Sequence, residues 1–256
     1  MSLQASIGVP IAPMWGELRY SGELARLLAA GARRPPRPRR DGPPVMLVPG
    51  FMAGDASLAM MRHWLRRRGH RVGSSGMLVN VDCAERIVTR LESQLERLAA
   101  RGEGSVFLIG QSRGGALARA LAVRRPELVC GLVMLGSPVR DGLAVSAPVL
   151  RTVQWLARLG DLGIPGLFSS SCRDGGCCER FELELSEPLP KGIEAFAVYS
   201  RSDAIVDWRA CLDPHAEHVE VDSSHCGMSV HPAVYRCLDR ALDSAQAAGE
   251  TLAAVA

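Results

Sequence analysis

From Pro44 onward, short apolar runs alternate with longer stretches of helical periodicity. Val45-Met46-Leu47-Val48 is an uninterrupted apolar run bounded by proline and glycine, which predicts a buried strand. Residues 56–68 predict a helix, 71–81 a strand region and 84–101 a second helix. The alternation continues with a strand at Val106–Ile109, a helix at Arg113–Arg124 and a strand at Leu128–Leu135. Strands alternating with helices imply βαβ units and hence a mostly parallel sheet flanked by helices, an α/β architecture.

The alternation breaks between Val139 and Pro190. This stretch holds one helical run, Pro148–Leu159, followed by sequence rich in Gly, Ser and Cys that sustains neither period. Strand patterns resume at Ile193–Tyr199 and His218–Val221, and a closing helix runs from about Pro232 to Ala247. Upstream, Trp15–Ala32 carries a helical pattern, and Arg33-Arg34-Pro35-Pro36-Arg37-Pro38-Arg39-Arg40 is an extended, solvated connector. The expected organisation is therefore an N-terminal helix and Arg/Pro linker over 1–43, a core over 44–138 and 191–247, an inserted cap over 139–190, and a frayed Ala-rich tail over 248–256.

A chain of 256 residues with 47% apolar content can bury one large core. A formal charge of +3, with the cations spread along the chain, points to neither a nucleic-acid groove nor an anionic membrane surface. Lys191 is the sole lysine, and no Gly-rich phosphate loop accompanies the arginines. The first twenty residues lack the pattern of a secretory signal, and no run suits a membrane span, so the expected location is the cytoplasm.

Candidate chemistry centres on Gly110-Gln111-Ser112-Arg113-Gly114, a G-x-S-x-G pattern set between a strand-like and a helix-like run. A sharp strand-to-helix turn would expose the Ser112 hydroxyl as a nucleophile. A serine needs a base to take its proton and a carboxylate to orient that base. Asp203 follows the strand ending at Tyr199, and His225 follows the strand ending at Val221. Loops after parallel strands converge on one sheet edge, so both would face Ser112. Asp207, four residues on, is an alternative acid. Asp222 is assigned a local turn hydrogen bond, His231 a helix entry, and His63 and His70 the surface, while His215 and His218 fit no role.

With the pieces Leu47-Val48-Pro49-Gly50-Phe51, the Ser112 turn, Leu135-Gly136-Ser137-Pro138, Tyr199-Ser200-Arg201-Ser202-Asp203 and Ser224-His225-Cys226-Gly227, the sequence resembles the α/β-hydrolase fold family over roughly Pro44–Leu242, especially its bacterial lipase and esterase-like members. The resemblance implies a cap inserted between the sixth and seventh strands of the family sheet. It makes Ser112 the nucleophile, Asp203 the acid and His225 the base, with oxyanion donors at the backbone N–H groups of Phe51 and Arg113. Pro49 and Gln111 stand where many relatives carry histidine, and Arg113 is bulkier than the residue often found after the serine, its side chain being assigned to cover the neighbouring helix. The activity implied is hydrolysis of carboxylic esters with an apolar acyl group, through an acyl-enzyme and without cofactor. The substrate is a small ester or acyl compound, and Trp155 and Leu159 are candidate acyl contacts. A thioesterase or acyltransferase would use the same triad, and a noncatalytic binding protein could keep the fold.

Eight cysteines complete the inventory. Cys83, Cys130 and Cys237 sit in apolar patterns and read as core residues. Cys172, Cys177, Cys178, Cys211 and Cys226 fall in loop-like sequence and admit a metal cluster, disulfides or free thiols, disulfides or thiols being favoured over metal because no paired C-x-x-C is present. The resemblance suggests a Cys178–Cys211 bridge, and no metal site is assigned.

Overall fold

The computed structural model describes residues 14–33, 42–102, 104–174 and 176–255. Strands β1 (Val45–Val48), β2 (Val72–Gly73), β3 (Val106–Gln111), β4 (Val129–Leu135), β5 (Glu194–Tyr199) and β6 (Glu217–Glu220) form one sheet in the order β2-β1-β3-β4-β5-β6. Every pairing is parallel. The helices are α1 (Tyr20–Arg33), α2 (Ala59–Arg67), α3 (Ala84–Gly102), α4 (Arg113–Arg124), α5 (Ala147–Asp161), the one-turn α6 (Ser171–Asp174), α7 (Glu179–Ser186) and α8 (Pro232–Val255).

The period-two geometry of the strands divides the core into two. Val45 and Leu47 of β1 and Phe107 and Ile109 of β3 face α2 and α8, while Met46, Val48, Val106 and Leu108 face α3 and α4. The strands are apolar on both sides because each face is covered by helices. The chain leaves β1 outward to β2 and then returns to place β3 on the other side of β1. That reversal makes the carboxyl ends of β1 and β3 the topological switch point of the sheet, the usual ligand position in an open α/β sheet.

The strand region expected over 71–81 shrinks to Val72–Gly73. Gly73-Ser74-Ser75-Gly76 interrupts the ladder, and the Asp55 carboxylate satisfies the freed groups instead. It accepts from the Ser75 and Gly76 amides at 3.2 and 3.0 Å and from the Ser75 hydroxyl at 2.7 Å. His70 was assigned to the surface but is buried, its Nδ1 3.0 Å from Pro43 O. His63 is exposed. Helix α8 continues past Ala247 to Val255, because the Ala-rich end is a strong helix former. The connector at 34–41 lies outside the described residues.

Within 139–190, two parts behave differently. Helix α7 joins the layer formed by α3 and α4. The buried Arg119 of α4 donates to Glu184 O and Glu187 O at 2.8 and 2.9 Å and pairs with the buried Asp213 at 2.5 Å. Helix α5 instead bridges loops at the carboxyl edge. At its start, Ser146 N donates to Ile205 O (2.7 Å) and Asp207 N to Ala144 O (2.9 Å). Beyond its end, Phe168 N donates to Val81 O (2.9 Å) and the Phe168 ring lies 6.2 Å from that of Phe51. Among the described residues no helix is long and apolar enough to cross a membrane.

Candidate active site

Ser112 occupies the turn between β3 and α4 with φ 52° and ψ −128°, a strained conformation for a residue with a side chain. The flanking glycines make that turn possible. A Cβ on Gly110 would lie 2.4 Å from Gly114 O, and one on Gly114 would lie 2.2 Å from Val48 O. The helix start is thus pressed against the ends of β1 and β3, and the serine projects from the tip. Ser112 N donates to Leu135 O at 2.7 Å, which fixes the turn beside the end of β4. Gly50 brings the β1 turn close as well, since a methyl there would lie 3.2 Å from the Ser112 Cβ.

His225 and Asp203 meet across the ends of β5 and β6. His225 Nδ1 is 2.6 Å from Asp203 Oδ2, and both side chains are buried. Asp203 Oδ1 accepts from the amides of Ile205 and Val206, each at 2.8 Å, so one oxygen anchors the loop while the other orients the ring. Burial disfavours a charged imidazole here, but the Asp203 carboxylate outweighs it, with Glu17 adding to the effect, and the His225 pKa is raised above 6.5. The bond at Nδ1 leaves Nε2 available to a hydroxyl. The ring also lies over the end of β4, where a methyl on Gly136 would approach it to 3.1 Å. Asp207, the alternative acid, caps the 3-10 turn Trp208–Cys211 by accepting from Arg209 N at 3.0 Å. Asp222 makes no local turn; it binds Arg19 Nη1 at 3.0 Å and the Ser202 hydroxyl at 2.7 Å.

The Phe51 amide has no hydrogen-bond partner among the described residues. The Arg113 amide belongs to the first turn of α4, where N–H groups lack helical acceptors. The Arg113 side chain does not cover the neighbouring helix as the sequence suggests but turns inward. Its guanidinium donates to Asn80 Oδ1 and to Asp82 O, both at 2.6 Å, while Asn80 Nδ2 donates to Pro49 O at 2.8 Å. Asn80, fully buried, therefore latches the β1 turn to the start of α4. Gln111 Nε2 donates to His225 O at 3.2 Å.

Two further residues come from the far end of the chain. Glu23 of α1, almost fully buried, accepts from Ser224 N at 2.9 Å and from the Ser224 hydroxyl at 2.7 Å. Glu17 accepts from the His225 and Cys226 amides, both at 2.9 Å. Sequence reasoning missed Asn80, Glu17 and Glu23, because each works through partners remote along the chain.

Of the candidate acyl contacts, Trp155 is 59% exposed and Leu159 is half-buried on α5. His218 Nε2 contacts Asp213 O at 2.7 Å, His215 is exposed, and His231 Nδ1 accepts from Ala233 N at 3.3 Å as the entry to α8. The Cys178–Cys211 bridge is not formed. Cys178 packs in the α3–α4 layer with its sulfur 3.5 Å from that of Cys83, while Cys211 is buried beside the Asp203 loop, close enough to feel Asp203 and Asp207. An open groove of about 570 Å³ lies at the opposite edge of the sheet, lined by Ala99, Ser105, Arg125 and Leu128 among others. Among the described residues it contains no nucleophile–base pair.

Comparison with known proteins agrees with this geometry at the level of fold. A family model described as serine aminopeptidase, S33, matches residues 65–175. A lipase from Bacillus licheniformis in its mature form superposes with a TM-score of 0.60 at 14% identity, covering 80% of this chain and 94% of that one. A monoacylglycerol lipase from Paleococcus ferrophilus gives 0.56 at 14% identity, covering 81% and 96%. A putative non-heme bromoperoxidase from Mycobacterium tuberculosis gives 0.53 at 15% identity, covering 80% and 93%. A search of curated protein sequences finds no match. Sheet order and structural likeness together give this chain the α/β-hydrolase fold, a mostly parallel sheet flanked by helices.

Proposed function

We propose that the protein is a serine hydrolase of carboxylic esters. The observation that carries this reading is the Ser112 turn, strained and half-buried at the sheet's switch point, together with a His225 ring held by Asp203 in the loops that follow β5 and β6. Ser112 Oγ attacks the ester carbonyl as His225 Nε2 takes its proton. The carbonyl oxygen gains charge between the Phe51 and Arg113 amides. His225 then returns the proton to the departing alcohol, and a water deprotonated by the same ring releases the acid from Ser112. Asp203 holds the imidazole tautomer and stabilises its charged form. No cofactor takes part in these steps.

Support for an apolar acyl group comes from α5 and the loop after it, which expose Trp155, Leu162 and Ile164 between two attachments at the carboxyl edge. A segment of this kind can cover the acyl chain while leaving the ester at Ser112. The deciding experiment is a panel of p-nitrophenyl esters and acyl-CoA thioesters with purified protein. Turnover of esters of increasing acyl length supports the reading. Turnover confined to the thioesters would reassign the protein as a thioesterase, and no turnover of either class would favour a noncatalytic binding role.

A further inference from the structure

Four of the eight cysteines converge on one point although they come from two distant stretches of chain. Cys83 precedes α3, and Cys172, Cys177 and Cys178 lie in the short turns before α7. Their sulfurs all lie within 4.8 Å of one another, with Cys83–Cys178 at 3.5 Å and Cys177–Cys178 at 3.9 Å. A tetrahedral zinc with Zn–S bonds of about 2.3 Å needs sulfurs about 3.8 Å apart. A set of packing cysteines would all be buried, yet Cys177 is exposed. The stretch that carries three of them is built of a four-residue helix and a three-residue 3-10 turn, Gly176–Cys178, elements too short to hold themselves in place.

We propose that Cys83, Cys172, Cys177 and Cys178 bind one divalent thiophilic metal ion, zinc fitting best, in a closed four-sulfur site that braces the Ser112 turn. On binding, four thiols lose four protons and the metal–thiolate unit carries a net charge of −2. The surroundings suit that charge. Among the described residues the Arg113 guanidinium forms no ion pair, and it donates to Asp82 O, the carbonyl next to Cys83, at 2.6 Å. Arg86 feels Cys83 and Cys172, after its main partner Asp82. All four positions are filled by protein, so the ion has no open site for substrate and its role is structural. Arg113 transmits the bracing, since it donates both to Asp82 O, beside Cys83, and to Asn80, which holds the β1 turn.

The test uses the full chain purified under reducing conditions. Elemental analysis is expected to find about one zinc, or iron, per chain, and Co²⁺ added to the metal-free protein should give the visible and charge-transfer absorption of a tetrahedral thiolate site. Cys177 should resist alkylation in the metal-loaded protein and become reactive once a chelator is added. Cys83→Ser and Cys178→Ser should each reduce bound metal to under about a tenth of wild type, whereas Cys130→Ser leaves it unchanged. Should those variants not fold, the wild-type Co²⁺ spectrum still decides. Reduced wild-type protein that gives no thiolate–cobalt absorption overturns the site, as does a peptide map of protein purified without reductant that finds Cys83 in a disulfide.

Discussion

The Ser112 turn and the His225 loop sit at the same sheet edge but are held in opposite ways. The turn is fixed by its own neighbourhood: Gly110 and Gly114 let β1, β3 and α4 close on it, and Leu135 O receives its amide. The His225 loop borrows its rigidity from elsewhere. Its backbone is gripped by Glu17 and Glu23, about two hundred positions away, and its carbonyl by Gln111. A nucleophile in a tight turn is positioned by backbone sterics, which tolerate little variation. A base on a longer loop is positioned by side-chain hydrogen bonds, each of which can be removed singly.

Substitutions at the chemistry itself come first. Ser112→Ala should cut kcat/KM for ester hydrolysis by roughly 10⁴-fold or more while leaving the melting temperature near wild type, because the hydroxyl supplies the bond-forming oxygen and little packing. Asp203→Asn should lower kcat by roughly 10³- to 10⁴-fold, and Asp207→Asn by less than about tenfold. The reverse ordering would transfer the orienting role to Asp207.

Substitutions in the remote grip should cost less and leave a different signature. Glu23→Ala leaves the buried Ser224 amide without an acceptor, a loss of about 1–3 kcal/mol. The melting temperature should fall by several degrees, read by thermal unfolding, and kcat by roughly 10- to 100-fold with KM little changed, since the base is misplaced rather than the substrate. A local turn on the base side would predict no effect from α1 at all, so an unchanged kcat would break the contrast.

The pH profile sharpens it. The base must be neutral to accept the proton, and its pKa is raised, so kcat/KM should fall on the acid side with a midpoint above 6.5. Asp203→Asn removes the main charge behind that shift and should move the residual activity's acid limb to lower pH. A limb that stays in place would mean that another group sets it. The smallest effect is expected on α5. Trp155→Ala should flatten the preference for longer acyl chains by up to about fourfold per methylene lost from contact, with acetate hydrolysis unchanged.

The contrast also explains what the sequence discloses. The parallel α/β sheet and the Ser112 turn are legible because they depend on local periodicity and on glycines beside the serine. That the loops carrying Ser112, Asp203 and His225 share one sheet edge is legible because parallel strands send their following loops to one side. The choice between Asp203 and Asp207 needs the fold, since both sit in the same short loop and only one reaches the ring. Asn80, Glu17 and Glu23 are invisible to pattern because a lone polar residue gains its meaning from a partner brought near by folding. Cys83 is the same case, for its apolar surroundings suit a core cysteine and only the fold brings it to Cys172, Cys177 and Cys178. The expected strand over 71–81 fails for a local reason, four Gly and Ser residues whose backbone Asp55 takes over.

The central claim is that Ser112 is the nucleophile, and covalent capture tests it most directly. The purified protein is treated with a fluorophosphonate, digested, and mapped by mass spectrometry. The expected result is a single adduct on the peptide containing Ser112, absent in Ser112→Ala and slowed in Asp203→Asn. An adduct on another residue, or ester turnover by a protein that forms no adduct, would contradict the account.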